Sequence, residues 1–295
     1  MDHRVSIIVP TFNRPVVLQA TIDQVLAQPF SDYELWIVDQ SDPDAAASNL
    51  DYVTRKQESR LHYLHLADKG LPNARNEGLA RISGEIVIFL DDDVLLLSED
   101  FIGAHLVAYD DPTIGGVVGR HVERSLKMNT GHTACHVSWT GRTIFNLFGT
   151  ERTFVGSVKG SNMSFRMDVV RQIGGFDRRT HMLEETDFST RARAAGWKIL
   201  FEPKAEIVHL STQAGGVRQK NRLGTEARRF RSTAYYVLKH RGFLGTPGFL
   251  GMFFLIALHR TVRMRSLDTL RVLYQAVHTG FAEAMLPPDE VLPRV

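Results

Sequence analysis

Four short strand-like runs, separated by segments with helical spacing, constrain this chain more than any other feature. They are VSIIVP (5–10), YELWIVD (33–39), LHYLHL (61–66) and GEIVIFL (84–90), and the last reads as a fully buried strand. Between the first two, Arg14–Gln28 places Val17, Leu18, Ile22, Val25 and Leu26 on one stripe, which predicts an amphipathic helix. A polar turn after Asp39 leads into a second helix ending by Arg60, and Asn73–Arg81 predicts a third. Strands alternating with helices predict βα units, hence an α/β chain with a mostly parallel central sheet flanked by helices.

Beyond Ser98 the pattern loosens. A helix is predicted over Ser98–Asp110, and GGVVGR (115–120) with the mixed region to Trp139 predicts further strands of untraced order. FRMDVVRQIGGFD (165–177) reads as a short helix stopped by Gly174-Gly175. Glu185–Ala195 reads as a helix, and WKILF (197–201) and AEIVHL (205–210) as two strands.

Charge divides the chain in two. Val217–Arg265 holds eleven Lys/Arg against one acid, Glu226, so this segment carries +10. Because the whole chain carries +2, the remainder carries −8. Such asymmetry predicts two regions with different partners. Within the basic region, GFLGTPGFLGMFFLIAL (242–258) is uncharged and flanked by Lys239-His240-Arg241 and His259-Arg260. A spanning helix needs about 20 apolar residues, so this run fits a segment lying in a membrane interface better than one crossing it. The other reading is a buried helical hairpin packed on the main domain. The single cysteine, Cys135, excludes an internal disulfide and points to a reducing compartment, and VSIIVP is too short for a secretory apolar region.

The chemistry concentrates at the predicted carboxyl ends of the strands, where parallel α/β sheets bind ligands. FLDDDV (89–94) ends the strand from Gly84 with three adjacent aspartates. Like charges this close repel unless something positive offsets them. Extended geometry would send Asp91 and Asp93 to one side and Asp92 to the other, and two converging carboxylates suit Mg²⁺ or Mn²⁺. Asp39 ends the second strand, and ADKGLPNARNEG (67–78) opens a helix carrying Arg75 and Asn76, a suitable neighbour for a diphosphate. HTACH (132–136) spaces two histidines around Cys135, too few ligands for zinc, and reads as an incidental loop.

These stretches resemble the family 2 glycosyltransferases, which have the GT-A fold. The resemblance is carried by VSIIVPTFNRP (5–15), WIVDQSD (36–42), GLPNARNEG (70–78), IVIFLDDDV (86–94), KGSNMSFR (159–166), GGFD (174–177), LEETDFSTRARAAGW (183–197) and IVHL (207–210), in family order over about 1–210. It implies a GT-A domain over 1–215, with a nucleotide-binding half to about 95 and an acceptor half from 96, followed by a basic, helical appendage over 216–295.

Roles follow from the resemblance. Pro10, Thr11, Asn13, Arg14 and Asp39 would hold the nucleotide of a UDP-, dTDP- or GDP-linked sugar, with Asp68 and Arg75 nearby. Asp91 and Asp93 match the Asp-x-Asp motif, with Asp91 near the ribose, Asp93 on the metal, and His209 completing the metal or diphosphate site. Gly160, Ser161 and Asn162 would line the sugar pocket. Glu185 stands at the position of the general base, a Glu where Asp is commoner, with Glu184 and Asp187 as the alternatives. The expected reaction is inverting transfer to a saccharide or lipid-linked acceptor in surface polysaccharide or glycolipid synthesis, by a protein peripheral on the cytoplasmic membrane face. A sugar nucleotidyltransferase would group similar carboxylates without needing LEETD and IVHL. A catalytically inactive binding protein would keep the donor residues alone. No recognised nucleic-acid motif accompanies the basic tail, so nucleic acid is not an expected partner.

Overall fold

The computed structural model describes residues 4–122, 133–212, 222–264 and 267–287. Val5–Thr11 (β1), Tyr33–Asp39 (β2), Leu61–His65 (β3) and Ile86–Leu90 (β4) pair in parallel in the order β3-β2-β1-β4. Ile7 and Ile8 are both fully buried and join different core clusters, as expected of a strand covered on both faces. Each such side chain contributes about 1.5–3 kcal/mol by leaving water. The crossovers are Pro15–Leu26 (α1), Pro43–Lys56 (α2) and Leu71–Leu79 (α3). Pro15, Pro43 and Pro72 each stand in the opening turn, where the missing N–H leaves no helix bond unmade. The sequence-predicted α/β architecture is borne out.

The second half completes one mixed sheet. Val94–Leu96 (β5) is a short strand that reads in sequence as a mere extension of the aspartate run. Phe101–Leu106 (α4) begins later than predicted because Asp100 accepts a hydrogen bond from the Gly103 N–H, and Val107–Asp110 tightens into a 3₁₀ turn. Ile114–Val122 (β6) follows, then the separate hairpin of Ala134–Val137 (β7) and Thr143–Asn146 (β8), and the short Thr153–Phe154 (β9). Asn162–Arg166 (β10) inserts antiparallel between β4 and β6. WKILF and AEIVHL prove to be one strand, Lys198–His209 (β11). Pro203 lies within a register shift between Glu202 and Glu206, where a bulge tolerates it without ending the strand. Cys135 and His136 of HTACH lie on β7, whereas His132 falls outside the described residues.

Met167–Ile173 (α5) stops at Gly174, whose φ of 82° closes the helix in the left-handed region. Glu184–Ala194 (α6) carries Glu184, Glu185 and Asp187 in its first turn, where the helix dipole favours acids. Arg222–Met264 (α7) and Leu267–Ala284 (α8) pack together through Phe249, Phe253, Leu273 and Val277, and Leu183 joins that cluster from the residue preceding α6. Gly242 breaks α7 with φ 60° and ψ −160°, a conformation open to glycine. The helix restarts there, and Pro247, inside the new segment, cannot donate to the Phe243 carbonyl, which accepts from the Thr246 hydroxyl at 2.7 Å instead.

One buried acid ties the parallel strands together. Glu34 accepts hydrogen bonds from the Ser6 hydroxyl (2.7 Å), the Ser83 N–H (2.6 Å) and the Trp36 indole (2.8 Å). Burial alone would raise its pKa, but these bonds outweigh burial and hold it at about 2, against an ordinary 4.5. A depressed pKa contributes stability above the unfolded value that is lost as pH falls through the folded one. Urea midpoints should therefore fall between about pH 4.5 and 2, and Glu34→Gln should start lower and lose that slope.

Candidate active site

The sheet topology brings the aspartates and His209 together. β11 runs antiparallel to β5 with His209 opposite Val94, and the Leu210 N–H donates to the Asp93 carbonyl at 2.9 Å. Asp91, Asp93 and His209 each offer a ligand atom, all within 4.8 Å of one another. His209 Nε2 lies 3.4 Å from Asp91 Oδ2 and 3.1 Å from Asp93 Oδ1. Asp93 Oδ1 is buried and accepts no hydrogen bond, while Asp93 Oδ2 accepts from the Thr212 N–H (3.0 Å) and hydroxyl (2.9 Å). Two carboxylates and an imidazole, with Asp93 Oδ1 facing only His209, fit a divalent cation that takes oxygen and nitrogen donors.

Fixed positive charge answers the repulsion. Arg14 Nη1 lies 2.9 Å from Asp92 Oδ1 and 3.2 Å from Asp93 Oδ2, and Nη2 donates to the Thr212 carbonyl at 3.1 Å. Burial opposes charge on His209, but Asp91 and Asp93 outweigh it and lift the imidazole pKa to about 9. Burial likewise would raise Asp93, yet His209, Arg14 and Thr212 hold it at about 2. Asp92 differs: burial dominates and pushes it up to about 6 despite Arg14 and the Thr11 hydroxyl. It is turned to Thr11 (2.7 Å) and Arg14, outside the three-ligand group.

Of the residues expected at a donor, Pro10, Thr11, Arg14 and Asp91 line one cleft, together with Phe12, Gln40, Leu71, Asp92, Asp93 and His209. Asn13 has φ 55° and bonds Asp42 through its side chain. Asp39 is fully buried, its carboxylate accepting from the Ser41 N–H (2.7 Å), Asn49 (2.7 Å) and Tyr63 (2.8 Å). Asp68 is exposed on the loop before α3, and its carbonyl accepts from Gln40. Ser161 donates through its hydroxyl to His121 Nε2 at 2.8 Å, because His121 Nδ1–H is committed to the Gly119 carbonyl at 3.1 Å. Asn162 departs from its expected place. It is fully buried and its amide bonds His105 Nε2 (2.9 Å) and the Ala205 carbonyl (2.8 Å), so its side chain braces the sheet instead of facing a sugar.

Arg75 joins the cation group to α6. It is 1% exposed, lies 3.8 Å from Asp91 and 3.1 Å from Glu184, and donates to the Gly160 carbonyl at 3.0 Å. A β-carbon at position 160 would sit 2.6 Å from the guanidinium, so a larger residue there would have to push Arg75 aside. Glu185 follows Glu184 at the start of α6. Burial and then the neighbouring Glu184 push its pKa well above the ordinary carboxylate range, which strengthens it as a base. Asp187 is unsuited to that task. It is fully buried, and although burial alone would raise its pKa, Arg191 (2.8 Å), Lys239 (2.6 Å) and His240 (2.8 Å) drive it far down.

Sequence reasoning missed Thr212, which grips Asp93, and Gln40, whose side chain accepts from the Gly70 N–H at 3.1 Å and steadies the loop before α3. Neither carries a sequence signal, since each acts through a contact made only in the folded chain. Lys239 and His240 were read as flanking charge and instead anchor α6.

This mixed sheet, with its Asp-x-Asp turn at the end of β4, has the architecture of GT-A glycosyltransferases. The chain superposes on the mannosyltransferase PcManGT from Pyrobaculum calidifontis, solved with GDP-Man and Mn²⁺, with a TM-score of 0.60 and 17% identity, covering 97% of this chain and 88% of that one. Residues 1–349 of TarS from S. aureus give a TM-score of 0.62 at 16% identity, over 95% and 80% of the two chains. The chain belongs to glycosyl transferase family 2, whose model matches residues 6–174. The GalNAc(5)-diNAcBac-PP-undecaprenol beta-1,3-glucosyltransferase of Campylobacter jejuni is 38% identical over 96 residues, 32% of this chain and 31% of that protein's length. The O-antigen chain rhamnosyltransferase RfbN of Salmonella typhimurium is 21% identical over 212 residues, 70% of this chain and 66% of the relative.

Proposed function

We propose that this chain transfers a sugar from a nucleotide-diphosphate sugar to a hydroxyl of a saccharide or lipid-linked acceptor, with inversion at the anomeric carbon. The observation that carries this reading is the placement of Asp91, Asp93 and His209 opposite a carboxylate pair, Glu184-Glu185, with buried Arg75 between them. Family membership and the donor and Mn²⁺ of PcManGT support it.

Asp91, Asp93 and His209 would hold Mg²⁺ or Mn²⁺. When bound, the ion neutralises charge on the donor diphosphate. Arg14 and the α3 N-terminus add fixed positive potential on the leaving-group side. The cleft loops hold the nucleotide and sugar, and Gly160 and Ser161 close the sugar side. Glu185 takes the proton from the acceptor hydroxyl as its oxygen attacks from the opposite face, and the bond to the nucleoside diphosphate breaks in the same displacement. Arg75 holds Glu184 in place so that Glu185 faces the acceptor.

The acceptor is proposed to reach the site from the cytoplasmic face of a membrane, in the building of surface polysaccharide or glycolipid. The undecaprenol-linked substrate of the Campylobacter relative and the apolar α7 support this part. Incubating the full chain with UDP-, dTDP- and GDP-sugars in Mn²⁺ or Mg²⁺ tests the reading. Nucleoside diphosphate should be released from one donor class, and chelation with EDTA should abolish the release. Pyrophosphate release, or donor binding with no turnover for any donor class, would overturn it.

A further inference from the structure

The second half of α7 is apolar on both its packed and its exposed side. Phe249, Phe253 and Ala257 face α8 and the protein, yet the opposite side is also apolar. Leu244 is 86%, Phe254 60%, Leu255 68% and Val262 69% exposed. Scattered exposed apolar residues are ordinary, but a continuous stripe of this kind marks an interaction surface.

The catalytic domain adds to that surface. Trp139, at the tip of the β7–β8 hairpin, is 64% exposed. Its ring lies against Gly248, where an added β-carbon would be 3.1 Å from Trp139 Cδ1, so it borders the side of α7 that carries Leu244 and Leu255. Arg241 stacks over the indole at 5.5 Å, and Arg142 is exposed on the same hairpin. Of the four Lys/Arg from Lys239 to Arg263, Lys239 pairs with Asp177 and Asp187 and Arg260 with Glu226, which leaves Arg241 and the exposed Arg263 for the rim. An indole and arginines edging an aliphatic stripe match the boundary of an anionic bilayer, with the ring at headgroup depth.

We infer that Trp139 and the outer face of α7 form one surface that lies in the headgroup layer of an anionic membrane, with the helix parallel to the bilayer plane. The helix lies along the protein surface in this reading because its inner face is docked along α8, and its first half, before Gly242, is held on the catalytic domain through Lys239 and His240. This inference rests on the membrane part of the proposed function and names the surface responsible. A second copy of the chain is the competing occupant, but the basic rim favours lipid phosphate over a copy carrying the same charges.

The test uses the full chain with phosphatidylglycerol vesicles, phosphatidylcholine vesicles serving as the neutral comparison. Wild type should bind the anionic vesicles, and Phe254→Glu with Leu255→Glu should weaken binding at least about tenfold, since two apolar anchors are lost and two anionic charges gained. Brominated lipid should quench tryptophan emission more with bromine near the headgroup than near the chain end, and Trp139→Phe should remove that quenching. Equal binding by the double variant, deepest quenching at the chain ends, or a dimer in light scattering that the variant dissolves would each overturn the inference. Donor hydrolysis in solution should be unchanged in the double variant, so failure of the surface and failure of the transferase reading are distinguishable.

Discussion

Asp93→Ala should lose metal-dependent donor binding by at least about 100-fold, whereas Asp92→Ala should lose at least tenfold less. Asp93 offers a buried oxygen met by His209 alone and stands in the three-ligand group. Asp92 instead supports Thr11 and Arg14, which places it one contact away from a bound cation. Calorimetric titration of donor analogue with and without Mn²⁺ separates the two variants. Equal losses would mean that the triplet acts as a block of charge and not as a divided site. Because Asp93 is also held by Thr212, Asp93→Asn keeps the shape of the residue while weakening it as a ligand, and it should fall with Asp93→Ala.

The second large effect belongs to Glu185. Glu185→Gln should lower kcat by roughly 10²- to 10⁴-fold, the usual contribution of a positioned base. Donor affinity should change little, because Arg75 and Glu184 stand between Glu185 and the cation group. The raised pKa of Glu185 gives this prediction a sign in pH. The working form is the carboxylate, so wild-type kcat should rise with pH through that raised value, and Glu185→Gln should flatten the limb. An unchanged kcat with a raised KM would assign Glu185 to binding, leaving Glu184 as the base.

The parts legible in the sequence are those fixed by local pattern. The strands β1 and β4 announce themselves as continuous apolar runs because both faces are covered, whereas β3, at the sheet edge, is half-exposed and carries two histidines. The helices α1 to α3 announce themselves through proline at their starts and apolar spacing. Asp92 does stand apart from Asp91 and Asp93 as expected, but not for the expected reason: β4 ends at Leu90 and the triplet forms a bend instead of extended strand. What stayed hidden depends on contacts between distant segments. Val94–Leu96 becomes a strand only because β11 returns to pair with it, and Pro203 conceals that β11 is continuous. Asn162 carried a family expectation of facing the sugar, yet the buried imidazole of His105 and the Ala205 carbonyl claim its amide. Neither partner is near it in sequence.

Asp187 and Asp177 decide where this molecule can be divided. Both are buried, and Lys239 from α7 reaches Asp187 at 2.6 Å and Asp177 at 2.7 Å, with Tyr235 also donating to Asp177. The change of composition near residue 216 suggests a detachable tail. Ending the chain there would strip Asp177 of Lys239 and Tyr235 and leave Asp187 with Arg191 alone, and breaking a buried ion pair typically destabilises by about 3–5 kcal/mol. Expression of the first 215 residues alone should therefore report on the loss of these counter-charges before it reports on anything the tail does at a surface, and a shortened form suited to comparison has to extend past His240.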